Sequence, residues 1–323
     1  MSASAIIVGI DEAGYGPVLG PLVVSASAFE VPLASAATDL WRLLKTCVAK
    51  KASSRDARVC ILDSKKLFKP TDGVGRLERT VLSVTGAWQE VPPDLHQLLR
   101  LVAPDAIAKL QEYPWYHGAN PQLPRPADAS GVNLAATVLR RNMDSLGIRP
   151  AGLWSEVLPE GHYNRLVSGT QNKAVVLLGL TLRLIQRVSD AHPHSPIHFY
   201  IDKQGAREHY ANPLLRAFEG RRLRVVLEDE TTSAYELVND ASHWRISFHM
   251  SGESKHLPVA MASCLSKYLR EVIMECFNDF WLGHIPALKP TAGYYQDGMR
   301  FINDIEEQVR VLGIDRKKLV RMR

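Results

Sequence analysis

The sequence predicts an α/β domain, a central mixed β-sheet flanked by helices. Three observations lead there: short runs of branched apolar residues that stop at polar or glycine-rich turns, longer stretches with apolar residues at helical spacing, and the interleaving of the two kinds along the chain. Residues 6–10 and 21–29 read as the first two strands, joined by a glycine-proline turn in a hairpin pattern and closed by Pro32. A helix is expected around 36–50, where Leu40, Leu43, Leu44 and Cys47 recur at helical spacing. Ile61-Leu62 then leads into the polar turn Asp63-Ser64-Lys65-Lys66-Leu67. From 86 to 170 prolines cluster and aromatics gather in Tyr113-Pro114-Trp115-Tyr116-His117. That stretch reads as an inserted subdomain, part helix and part loop, within a single domain spanning 1–323.

Asn172 opens a clear helix, whose apolar positions from Val175 to Val188 make a largely buried cylinder. Residues 198–202 form a strand that ends in a carboxylate, and 223–227 another that leads into Glu228-Asp229-Glu230. After a polar, partly helical interval, 244–250 alternates like a strand and runs into Gly252-Glu253-Ser254-Lys255-His256. The segment 257–276 is apolar and rich in small residues, which suits a helix laid closely on a sheet.

Composition narrows the class. In 323 residues, 46% hydrophobic and 23% charged content are those of an ordinary globular protein, and a net charge of +5 favours polyanionic partners without demanding them. Cys47, Cys60, Cys264 and Cys276 lack the close pairing of a zinc site. No run approaches the ~20 apolar residues that span a bilayer, and no basic region precedes a long apolar stretch at the N-terminus. The expectation is a cytoplasmic protein, away from membranes and monomeric.

Chemistry concentrates where strands stop. Asp11, Glu12, Asp202 and Glu253 each follow an inferred strand and start a polar turn. A sheet that brings these ends together assembles four carboxylates, whose mutual repulsion a hard divalent cation relieves. Adjacent strand residues point to opposite faces, so Asp11 and Glu12 cannot bind one ion side by side. A geometry in which one coordinates by its side chain and the other from the turn beyond is more natural. Two cations about 4 Å apart suit phosphodiester cleavage, which makes a Mg²⁺ or Mn²⁺ nuclease the expectation. Carboxylates alone also suit one structural Ca²⁺ or a phosphotransferase, although no Gly-x-x-x-x-Gly-Lys loop supports the latter. Glu228, Asp229 and Glu230 compete with Glu253 for the fourth place.

At these residues the chain resembles the type 2 ribonucleases H, ribonuclease HII and HIII. Gly9-Ile10-Asp11-Glu12-Ala13-Gly14-Tyr15-Gly16-Pro17 with Gly20-Pro21 is similar to their first motif, and Asp63-Ser64-Lys65-Lys66-Leu67 to their second. Asn172 with its helix, Tyr200-Ile201-Asp202, and Glu253-Ser254-Lys255-His256 with Val259-Ala260-Met261-Ala262-Ser263 continue the resemblance in order. It covers 1–70 and 170–300. The resemblance implies an RNase H-like fold, hydrolysis of the RNA strand of RNA–DNA hybrids, and Mg²⁺ or Mn²⁺ held by Asp11, Glu12, Asp202 and Glu253. Glu in the last place, preceded by Ser247-Phe248-His249, is more similar to the HIII branch.

Substrate contacts are expected from the turn Gly14, Tyr15 and Gly16 and from Lys65 and Lys66, which beside a carboxylate cluster can hold a polyanion. Lys255 is expected at the start of a helix, whose N-terminus favours anions, and His256 beside it reads as a helix-cap neighbour rather than a proton donor. Tyr294, in Thr291-Ala292-Gly293-Tyr294-Tyr295, resembles a family tyrosine that stacks on a sugar. Trp115 and Tyr116, with Arg125 nearby, are either base-stacking residues or a small satellite core. The chain also departs from the family. Tyr15 stands where ribonuclease HII carries Arg, the intervals 63–172 and 202–253 are long, and the extra N-terminal substrate-binding domain of ribonuclease HIII is not expected. The alternative function is therefore a nucleic-acid-binding module that keeps the fold and has lost catalysis.

Overall fold

Branched residues from Ile6 to Ile10 give β1 (Ser4–Ala13) its extended form, and the turn after it returns the chain as β2 (Leu22–Pro32), antiparallel with Ile10 opposite Ala26. The computed structural model describes residues 4–51, 58–68, 73–125, 129–205 and 207–322. The outermost residues of the expected 1–323 domain, and 126–128 of the expected insertion, lie outside the described residues.

Where a helix was expected over 36–50 there is a 3-10 turn (Leu33–Ser35) and one helical turn, α1 (Leu40–Leu43). Asp39 caps its start through the Trp41 N–H, but the chain leaves the helix at Leu44 because β3 (Val48–Ala49) and β4 (Val59–Cys60) pair with each other instead. Next come α2 (Ser64–Leu67), α3 (Gly75–Trp88), α4 (Leu95–Val102), α5 (Ala106–Leu110) and α6 (Ala129–Ser145). These precede β5 (Arg149–Leu158), α7 (Glu160–Thr170), α8 (Lys173–Ala191), β6 (Ile197–Asp202) and α9 (Ala211–Ala217). The hairpin β7 (Arg222–Glu228) and β8 (Thr232–Val238) leads to β9 (His243–His249). A short α10 (Gly252–Lys255), the long α11 (Leu257–His284), α12 (Tyr295–Asp304), α13 (Glu306–Val311) and α14 (Arg316–Leu319) complete the chain.

Among the described residues the main sheet has seven strands in the order β5-β2-β1-β6-β9-β8-β7. β2 runs antiparallel to both β5 and β1, whereas β6 is parallel to β1 and β9 parallel to β6. Those five strands have the order and directions of an RNase H-like fold, extended by the antiparallel β8 and β7. α11 covers one face, with Ala260, Met261, Leu265 and Leu269 in one core with Ile7 and Val23. α8 covers the other, with Leu177, Leu184 and Val188 against Val8, Ile10 and Phe199.

The stretch 86–170 does not stand apart from this body. Its β5 pairs with β2 from Leu22–Leu158 to Glu30–Arg149, and its aromatics are core. Trp115 and Tyr116 are buried and Trp115 packs 5.7 Å from the Phe277 ring of α11, while Arg125 pairs with Glu78 and Glu275. Base stacking by Trp115 and Tyr116 is thereby ruled out. The cause is local: the aromatics among the prolines have the flank of α11 to pack against.

Gly9 sets how closely α11 lies on the sheet. A Cβ there would stand 2.0 Å from the backbone of Pro258 and Val259, atoms that cannot swing aside. Overpacking costs about 1–3 kcal/mol, and a backbone clash belongs at the upper end. Gly9→Ala is expected to lower unfolding stability by about 3 kcal/mol in denaturant titration, whereas Gly16→Ala, with open space around it, shifts it far less.

Candidate active site

The parallel pairing of β1 with β6 places the site. Ile10 lies beside Ile201, so the next residue on each strand is a carboxylate, Asp11 and Asp202. Glu253 is brought to the same place by α10, whose Gly252 N–H donates to Asp202 Oδ1 at 2.8 Å. Asp11, Glu12, Asp202 and Glu253 line one pocket of about 280 Å³, together with Asp63, Ser64, Lys65, Ser263, Lys267, Arg270 and Tyr294. The turn Gly14, Tyr15 and Gly16 forms its rim.

Local sequence fixes each side chain. Gly14 takes φ +86, and a Cβ there would lie 2.5 Å from Pro21 O and 2.6 Å from Arg270 Nε, so the chain can turn only with glycine. Asp11 Oδ1 accepts the Glu12 N–H at 2.7 Å, and the Ser266 hydroxyl of α11 donates to Asp11 O at 3.0 Å. Asp63 caps α2 by accepting the Lys65 N–H at 2.9 Å, which leaves the Lys65 side chain at the pocket.

Burial and like charge dominate the electrostatics. Burial first, then the charges of Glu12 and Asp202, pushes the Asp11 carboxyl well above its ordinary range. Glu12 is pushed up to about 7 by burial and by Asp202, against the pull of Lys65. Asp202 also rises to about 7, through burial and Glu253, despite the Gly252 N–H. Among the described residues, buried Glu253 Oε2 has no hydrogen-bond partner.

These features fit a hard divalent cation in chemistry: oxygen donors only, mutual repulsion and an orphaned buried carboxylate oxygen. Among the described residues no group of three or more His, Cys, Asp or Glu side chains is already set to hold a metal ion. The carboxylates surround the pocket without closing on one point.

The competitors of Glu253 are not among the residues that line the pocket. Glu228 bonds His209 and Tyr235, Asp229 accepts the N–H groups of Thr231 and Thr232 at 2.7 Å, and the Glu230 carbonyl accepts Lys203 Nζ at 2.8 Å. Two expected substrate contacts do not reach the lining. Lys66 is exposed and stands 3.7 Å from Asp63, and Lys255, also exposed, projects from α10. Both follow from helical geometry, since neighbours of a lining residue are rotated off its face. His256 stacks on Tyr200 at 3.9 Å, and burial pushes its pKa down to about 4, so it is neutral at pH 7. Sequence reading missed Arg270, Lys267 and Ser263, which α11 presents inside an apolar run, and the C-terminal Arg321, which bonds the turn from behind.

No protein-family model matches the chain, and no curated protein does. Solved structures do. Ribonuclease HII of Archaeoglobus fulgidus, from its complex with PCNA, is 16% identical with a TM-score of 0.43, over 98% of this chain and 94% of that one. Ribonuclease H2 of Pyrococcus horikoshii is 15% identical with a TM-score of 0.42, over 97% and 92%. Bst-RNase HIII in complex with Mn²⁺ is 16% identical with a TM-score of 0.41, over 99% of this chain and 66% of that one. At these scores the likenesses add nothing to the strand order, from which the RNase H-like fold is read. No helix among the described residues is long and apolar enough to cross a membrane.

Carboxyls raised in the folded state bind more protons there than in the unfolded chain. The stability tied to that extra protonation is present at low pH and is lost as pH rises through the folded values, here towards about 7 for Glu12 and Asp202. In EDTA the melting temperature is expected to fall as pH rises from about 5 to 8, and the Asp202→Asn variant to fall less. A flat profile shared by both proteins would contradict the electrostatic reading.

Proposed function

We propose that this chain is a divalent-metal-dependent endonuclease that hydrolyses the RNA strand of RNA–DNA hybrids. The observation that carries the reading is the shared pocket of Asp11, Glu12, Asp202 and Glu253, since nothing but a cation requires four acidic side chains gathered under burial. Asp11, Glu12, Asp202 and Glu253 would hold Mg²⁺ or Mn²⁺. Bound there, the ions would activate a water and stabilise the leaving oxygen, so no protein nucleophile is needed.

The protein's own residues bind and orient the substrate. Lys65 provides a positive charge at the carboxylates, lowering Glu12 and Asp202, and is placed to meet a phosphate. On the rim, Tyr15 carries the Lys173 ammonium 5.0 Å over its ring, a cation at the turn supplied from α8. Tyr294, more than half exposed at the start of α12, offers a ring face to a sugar. Lys66 and Lys255 stand outside this set.

A second reading, a nucleic-acid-binding module without turnover, is favoured by one observation: the acidic side chains do not already form a closed ligand set. Metal dependence separates the two. Labelled hybrid is expected to be cut with Mg²⁺ or Mn²⁺ and left intact in EDTA, and duplex DNA to be left intact throughout. Losing an outer-shell partner of a metal site costs about 10–100-fold, so losing a ligand in Asp11→Asn should cost at least about a hundredfold in cleavage rate. No cleavage under any metal, with Asp11→Asn indistinguishable from wild type, would leave the binding module as the function.

A further inference from the structure

Two buried arginines at the turn, of which Arg270 also lines the pocket, are not used by the function above. Arg270 of α11 is 1% exposed and Arg321 of the C-terminal tail 3% exposed. Burying a guanidinium is costly unless it is compensated, and the usual compensation is a carboxylate in direct contact. Here the compensation is mostly backbone carbonyl. Arg321 donates from Nη1 to Gly14 O and from Nη2 to Tyr15 O at 3.3 Å, and its plane lies 4.0 Å from the Tyr163 ring. Arg270 donates from Nη2 to Leu19 O at 3.3 Å and to Ala292 O at 2.9 Å, and from Nη1 to the Glu271 carboxylate at 3.3 Å. Among the described residues the Nε of each has no hydrogen-bond partner.

The tail is fastened so that Arg321 can do this. Asn164 of α7 donates to Lys317 O and Val320 O at 2.7 Å and accepts the Met322 N–H at 2.7 Å, while the Arg321 N–H itself donates to Val18 O at 2.8 Å. Glu160 of α7 holds the far end of the same turn by accepting the Gly20 N–H at 3.1 Å. With its carbonyls drawn inward by Arg321, the turn keeps its opposite edge for the pocket. Among the described residues no protein acceptor takes the N–H of Tyr15 or Gly16.

We propose that Arg321 is a positioning residue: through the carbonyls of Gly14 and Tyr15 it holds the turn in the shape that binds the sugar–phosphate backbone, which makes the docked C-terminal tail part of the substrate site. The inference rests on the nucleic-acid reading of that turn. Arg321 touches no reacting atom, so its effect falls on binding.

The test uses the full chain, with Arg321→Ala and Arg321→Lys assayed on RNA–DNA hybrid beside wild type. Hydrogen bonds to a charged donor are worth enough that Arg321→Ala should raise KM about tenfold with kcat within about twofold. Arg321→Lys, with one point donor in place of a fork, should recover part of that, and added guanidinium ion should lower the KM of the Ala variant alone. Unchanged KM with a lowered melting temperature, or kcat falling with no guanidinium rescue, would overturn the proposal. Should Arg321→Ala not fold, Asn164→Ala frees the tail without removing the charge and is expected to raise KM in the same way. Direct hybrid binding by fluorescence anisotropy separates the two readings. Equal tight binding by wild type and Arg321→Ala removes the positioning role alone. Binding that weakens tenfold in the variant, in a wild type that cleaves nothing, removes catalysis and keeps the positioning role. No hybrid binding by either protein overturns both.

Discussion

Repulsion among buried carboxylates is the constraint on which the rest of this molecule depends. Asp11, Glu12 and Asp202 each sit at a strand end, burial raises the proton affinity of all three, and the charges of Glu12 and Asp202 raise that of Asp11 further. No relaxation of the sheet removes the problem, because the parallel register of β1 and β6 puts Asp11 and Asp202 on neighbouring strands at the same level. The close packing of α11 on Gly9, and the buried core on both faces, supply the stability against which this local cost is set.

Charge of the opposite sign is placed with the same economy. Lys65 meets the carboxylates from α2, whereas Arg270, which also lines the pocket, and Arg321 direct hydrogen bonds to the carbonyls of Leu19, Ala292, Gly14 and Tyr15. A guanidinium folded into the acidic pocket would neutralise it without leaving room for an ion. Among the described residues neither arginine forms an ion pair with the four carboxylates, and the pocket stays acidic.

Much of this was legible in the sequence. β1, β2, β6, β7, β9, α8 and α11 all announce themselves by period and by their flanking turns, and Asp11, Glu12 and Asp202 were readable as carboxylates at strand ends, with Glu253 in the polar turn after β9. What escaped was decided by tertiary contact. β5 begins Arg149-Pro150 and carries Gly152, poor strand residues that the edge of β2 organises. α3 is rich in Thr, Val, Ser and Gly, which disfavour a helix until its buried side packs on the core. β8 contains Ala, Glu and Leu and so reads as partly helical, although Ser233, Tyr235 and Leu237 alternate into the core. Around Leu40 the spacing fits a helix, but pairing of Val48 with Val59 claims the backbone first. Arg270 and Arg321 are ordinary charges in the sequence, and only the fold shows them buried against the turn.

The central claim is that a divalent cation belongs among these carboxylates, and anomalous diffraction from crystals grown with Mn²⁺ tests it most directly. The account predicts manganese density within coordination distance of Asp11 and Asp202, absent from crystals of Asp11→Asn. Manganese found only on the surface, with the carboxylates of the pocket unmoved, would contradict it.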